Sequence, residues 1–299
     1  MVDLEKYKYP GENKVTGSFS KTARHGKVLF MSISDFFQYD YQWMAYVGAI
    51  VSSAIAIIVL VLLAQKFHVR KAKTLYDLRN MVAFLAIAPT IDYFLFTINA
   101  LNPGWRATFD YVELGSFMSF TMNAIANIFL LAFIRDVFFD GKKKGGLMFL
   151  AVLEAAVGPA LVVIFFTGDP DLPLIALLLH VTAALAIYIV LATNAFRLRD
   201  RIKTDATKQV ESHGLAYIGI SGLVMFSAII LFVIHEVIIL VPIREYWTVT
   251  LGWLLGAIAG VIVYLGFTPP EKMKKRWASH QPRKARTTKK ADPPEKSYS

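Results

Sequence analysis

The sequence predicts an all-α polytopic membrane protein, a seven-transmembrane-helix bundle, and three observations carry that expectation. Of its 299 residues 56% are hydrophobic and 18% charged, with a mean hydropathy of +0.48; soluble domains carry about a quarter charged residues. Seven apolar runs are each long enough to cross a hydrocarbon core about 30 Å thick, which takes roughly 20 residues of helix. Lys and Arg gather in alternate connections between those runs, the pattern left by loops that stay in the cytoplasm.

Taken in order, residues 1–42 read as an extracytoplasmic N-terminal tail. Its apolar stretch from Val28 to Ser34 is too short for a signal-peptide core. It leads through Phe36, Phe37, Tyr39, Tyr41 and Trp43 into the first run, and aromatics favour the membrane interface. The membrane domain, 43–268, holds spans at 43–65, 78–101, 111–134, 146–167, 173–196, 214–241 and 246–268. In lipid each backbone amide needs a partner within its own segment, and no barrel-like alternation is present, so the spans are read as helices. Residues 269–299 carry ten Lys and Arg against three acidic residues, which places +7 of the net charge of +10 there. With few large apolar groups, this stretch is expected to be a disordered basic cytoplasmic tail.

Orientation follows from the loops. One set holds Lys66, Arg70, Lys71 and Lys73, then Arg135, Lys142, Lys143 and Lys144, then Arg197, Arg199, Arg201, Lys203 and Lys208. The opposite set holds only Arg106 and Arg244. The first set is read as cytoplasmic, which puts the N-terminus outside a cell membrane and the C-terminus inside. The N-terminal Lys and Arg do not overturn this, because residues 28–42 contain none.

The absence of Cys excludes disulfides, thiol catalysis and thiolate metal sites. The basic tail lacks the chemistry that reads nucleic acid, so nucleic acid is not an expected partner. Anionic lipid headgroups are, at about 1 kcal/mol for each cation near the surface.

Ionisable groups inside a membrane are costly, and that makes them candidates for function. They are Asp92 in the second span, Glu154 in the fourth, His180 in the fifth, and His235 with Glu236 in the sixth. At about 1.5 Å per residue, Asp92, His180 and His235 share a depth in the outer half, while Glu154 lies nearer the midplane, level with Asn123. These six form the expected ligand pocket. Pro89 frees the Leu85 carbonyl in the helix of Asp92, Pro159 frees the Ala155 carbonyl beside Glu154, and both are read as hinges. Gly252, Gly256 and Gly260 recur every fourth residue in the last span, a spacing that lets helix backbones approach.

Several seven-helix families lack their marks here. Retinal needs a lysine in the last helix, and residues 246–268 contain none. G-protein-coupled receptors carry an Asn-Pro-x-x-Tyr motif there, also missing, although Arg135 and Asp136 resemble part of their charged triplet. Seven-helix zinc hydrolases need a His-x-x-x-His pair, and His25, His68, His180, His213, His235 and His280 supply no such spacing. Tyr264, Leu265, Gly266, Phe267, Thr268, Pro269 and Pro270, followed by Lys272, Lys274, Lys275, Arg276 and Trp277, form a different kind of ending. This run resembles the exit of the seven-helix input regions that precede kinase or GAF modules in microbial sensor proteins. The resemblance implies a sensory role, with the signal passed to a separate protein because no output domain follows.

The expected function is therefore a non-enzymatic sensory or receptor-like module, with a polar pocket among the second, fifth and sixth spans. Its output would pass through residues 135–145 and 197–213 or the tail to a cytoplasmic or membrane partner. No cofactor is expected on this reading. The alternatives are a redox subunit holding haem b between His180 and His235, an assembly or scaffold subunit, and a transporter relaying protons through Asp92 and Glu154. The lack of internal repeats speaks against the last.

Overall fold

The computed structural model of the chain describes residues 42–101, 111–142, 144–167, 172–239 and 247–279. They form eight α-helices and, among the described residues, no strand. In chain order these are α1 (Gln42–Arg70), α2 (Lys73–Leu101), α3 (Tyr111–Phe138), α4 (Gly145–Thr167), α5 (Leu172–Ile202), α6 (Gln209–Ile239), α7 (Trp247–Phe267) and α8 (Glu271–Ser279). Six of them, α1, α2, α3, α5, α6 and α7, are long and apolar enough to cross a membrane. The described apolar part of α4 is Gly145–Ala160. Large apolar side chains such as Ile57, Ile58, Phe94, Phe149, Val152 and Leu223 stand exposed around the bundle. A surface of that kind suits hydrocarbon rather than water. The N-terminal tail and its interfacial segment lie outside the described residues.

From α1 to α7 each helix packs against its neighbours in sequence, and α7 closes the ring against α1, while α8 packs on α6. α3 also touches α5, so α4 sits outside that contact. Tight reversals set up the antiparallel order. Lys71 (φ +49°) turns α1 into α2, and Asp140 (φ +50°) with Gly141 (φ +72°) ends α3. The Gly141 amide reaches back to the Arg135 carbonyl at 3.1 Å, which caps that helix. Between α5 and α6 the Asp205 carboxylate accepts from the Thr207 amide and hydroxyl and starts a single 3-10 turn, Ala206–Lys208.

Leu63, Leu78, Val82, Leu130, Phe133, Ile134, Ile187, Leu191 and Val263 form a dense core toward the end of the ring that carries α8. The cavities adjoin this core, with Val82, Leu130, Leu191 and Val263 among their walls.

One expectation is corrected here: the start of residues 269–299 is not disordered. Pro269 and Pro270 end α7, and Glu271 in the first turn of α8 complements the helix dipole. Trp277 is buried against α6, stacked on His213 at 5.4 Å and tilted against Tyr217 at 5.3 Å. Composition favoured disorder, but an aromatic anchor that finds a partner on another helix outweighs it. Residues 280–299 lie outside the described residues.

Candidate functional site

Four polar side chains from three helices form a continuous buried chain. The Tyr188 hydroxyl on α5 donates to Asn127 Oδ1 on α3 at 2.9 Å. Asn127 Nδ2 donates to Glu154 Oε1 on α4 at 2.9 Å, and Glu154 Oε2 lies 2.7 Å from His180 Nδ1 on α5. All four residues are about 1% exposed. The two bonds to Asn127 fix which end of its amide faces which partner. A carboxylate alone at this depth would be an uncompensated buried charge. Here both carboxyl oxygens have a partner, Oε1 the Asn127 amide and Oε2 the His180 imidazole. His180 Nε2 has no partner among the described residues, and the Phe120 ring packs edge-on against the imidazole at 5.9 Å.

α4 reaches this chain through a close crossing with α3. Thr121 Oγ1 lies 2.7 Å from the Gly158 carbonyl and 2.9 Å from that of Phe117. A Cβ on Gly158 would sit 3.1 Å from that of Ala124, so Gly158 lets the helices approach just before Pro159.

The second feature is a cavity between α1, α2, α3, α6 and α7. Its walls include Ser52, Pro89, Asn123, Phe232, Trp253 and Gly256. The unfilled space there, mouth included, is about 600 Å³. Three lining residues, Ser52, Asn123 and Trp253, present a buried polar atom without a hydrogen-bond partner among the described residues: Oγ, Oδ1 and Nε1 respectively. Pro89 adds a fourth polar feature, because it has no amide for the Leu85 carbonyl one turn earlier. A smaller space adjoins, lined by Asn127, Tyr188 and Ser221 and sharing Leu85, Met225 and Gly260 with the first. The polar chain thus ends on the wall of the cavity system.

The structure distributes the expected pocket residues differently from their depth ranking. Glu154 and His180 meet directly. Asn123 faces the α1–α2–α3–α6–α7 cavity, in place of a pocket among the second, fifth and sixth spans. Asp92 packs against α3, where a Cβ on Gly115 would lie 3.3 Å from its Oδ1. His235 and Glu236 fall on α6, but their side chains lie outside the described residues. α2 and α4 run unbroken through Pro89 and Pro159. Pro89 lines the cavity and Pro159 stands on the exposed side of α4.

The glycine repeat also departs from expectation. Gly256 and Gly260 have nothing within 4 Å of where a Cβ would sit; they open the cavity instead of bringing backbones together. Gly252 faces the Phe232 ring. The close backbone approach occurs elsewhere, at Gly214 of α6 and Gly266 of α7, where an added Cβ would meet the opposite carbonyl at 2.5 and 2.7 Å.

Sequence reasoning missed Asn127, Tyr188, Ser52 and Trp253 as site residues. Asn127 lies one helical turn from Asn123, a polar pair on one face that the pattern does contain. Tyr188 and Trp253 read as ordinary membrane aromatics. It also missed a charge cluster at the α8 end, where Asp136 takes Lys73 at 2.9 Å and Arg135 at 2.7 Å beside the buried Asp77. Among the described residues no group of three or more His, Cys, Asp or Glu is placed to hold a metal ion. No known protein-family model matches the chain, and no curated protein or solved structure is significantly similar to it.

Proposed function

We propose that this chain is a seven-span, non-enzymatic membrane protein of receptor-like, sensory type that holds a small molecule in the cavity beside Trp253. One observation carries the reading: three buried polar atoms without partners among the described residues, on Ser52, Asn123 and Trp253, belong to side chains that line one otherwise apolar cavity. Buried polar groups are nearly always paired, so three such atoms converging on one cavity favour a site for a molecule that can hydrogen-bond.

α4 is the seventh span on this reading. Its 23 residues extend about 35 Å, enough for the hydrocarbon core. The alternation of Lys and Arg supports an extracytoplasmic N-terminus and puts α8 at the cytoplasmic face. There Lys272, Lys275 and Arg276 favour anionic lipid headgroups, and the loops around Asp140 and Asp205 with α8 form the surface for a partner protein. The ending of α7, similar to that of microbial sensor input regions, supports the sensory assignment.

Native mass spectrometry of the protein extracted from its own membrane tests the reading. Wild-type protein should carry a small molecule that Gly256→Leu, which fills the cavity, does not retain. Bare protein in both samples would overturn it.

A further inference from the structure

We infer that the cavity selects an uncharged amphiphile: a compact apolar molecule, such as an aromatic or alicyclic alcohol or amide, with one group able to donate and accept hydrogen bonds. The inference rests on the ligand-binding reading above and names the chemical class of the occupant.

The first argument is charge. No ionisable residue stands among the described residues lining the larger cavity, and the only one lining the adjoining space is Tyr188. A carboxylate, phosphate or ammonium bound there would be buried in a membrane interior with no counter-ion, and the desolvation cost would go unmatched. Glu154 and His180, the ionisable groups nearest along the polar chain, already face each other at 2.7 Å. Asn127 stands between them and the cavity.

The second argument is the kind of hydrogen bond offered. Trp253 Nε1 is a donor only and needs an acceptor. Asn123 Oδ1 needs a donor, and the Ser52 hydroxyl serves as either. The Leu85 carbonyl, deprived of its helix partner by Pro89, is a further acceptor. A pure hydrocarbon leaves all of these unpaired, whereas a hydroxyl or amide satisfies a donor and an acceptor at once. The third argument is shape. Phe232, Met225, Ile229 and the bare faces of Gly256 and Gly260 offer an apolar bed beside the polar corner.

Fluorine NMR of full-length protein in lipid nanodiscs, with four probes that share one fluorophenyl ring, tests this. The probes are 4-fluorobenzyl alcohol, 4-fluorotoluene, 4-fluorobenzoate and 4-fluorobenzylammonium. The alcohol should bind about tenfold tighter than the toluene, as expected for one or two net hydrogen bonds. Both ions should show only the background seen with Gly256→Leu. Replacing the polar corner (Ser52→Ala, Asn123→Leu, Trp253→Phe) should bring the alcohol down to the affinity of the toluene. If Gly256→Leu does not fold, Gly256→Ala, for which there is open room, should weaken the alcohol by a smaller factor.

Equal binding of alcohol and toluene to the wild type, or an ion binding as well as the alcohol, overturns the ligand class and leaves the cavity as a binding site. Failure of all four probes to exceed the Gly256→Leu background overturns the cavity reading itself.

Discussion

Glu154 on α4 and His180 on α5 meet at 2.7 Å, both shut off from solvent. Asn127 holds the other carboxylate oxygen at 2.9 Å. Removing one partner strands the other in a low-dielectric interior. Glu154→Ala and His180→Ala should therefore each cost about 3–5 kcal/mol. The double variant Glu154→Ala/His180→Ala should cost clearly less than the two single losses together, because each single change strands a partner that the double variant also removes, while the Asn127 amide loses its acceptor whenever Glu154 is replaced. Unfolding titrations of the four proteins in mixed detergent give the coupling, and additive losses would refute a paired role.

The glycines of α6 and α7 should behave in opposite ways. A methyl on Gly214 meets the Gly266 carbonyl at 2.5 Å, so Gly214→Ala forces the helices apart and should cost about 1–3 kcal/mol. Gly256→Ala enters open space and removes chain entropy from the unfolded state. It should be neutral or stabilising, by up to about 1 kcal/mol. Melting of the two variants side by side decides, and equal losses would show that the cavity at Gly256 is closed.

α8 is anchored through Trp277, which lies between His213 and Tyr217. Trp277→Ala should free the helix without unfolding the bundle. Trypsin cleavage after Lys272, Lys274 and Lys275 should then accelerate about tenfold, since cleavage follows the population of the open form. Unchanged cleavage rates would mean that α8 is held by something else.

The turn between α5 and α6 should respond to acid. The Thr207 hydroxyl and amide hold the Asp205 carboxyl below the usual carboxylate range. A depressed folded-state pKa stabilises the turn above the unfolded value of about 3.9, and that contribution fades as pH falls through the folded value. Acidification below about pH 4 should thus lower the protection of the Thr207 amide against hydrogen exchange, measured relative to its intrinsic rate at each pH, in the wild type. Asp205→Asn, which caps without titrating, should show no such step; the same step in both proteins would rule out Asp205 as its origin.

Several of these sites were legible in the chain and others were not. Glu154 and His180 stand out as intramembrane ionisable residues in any reading. Their pairing does not, because it depends on how α4 and α5 are rotated toward α3. Asn123 was visible as a polar group, while the cavity it faces arises from Gly256 and Gly260, whose spacing pointed to close packing. The anchoring of α8 needed a partner, His213, more than sixty residues away in the chain.

The sequence by itself determined that the chain is helical and built for lipid, and singled out ionisable groups within its apolar runs. Length against hydrocarbon thickness and charge against desolvation act along each segment, so both are written in one dimension. Only the tertiary structure decided which face of each helix looks inward, which side chains meet, and where space is left over. The physical reason is a lack of contrast: a lipid-facing side and a protein-facing side are both apolar, so helical periodicity that would mark the buried face in water is nearly silent here. Azimuth is set by contacts such as Gly214 on Gly266, Trp277 on His213 and Glu154 on His180.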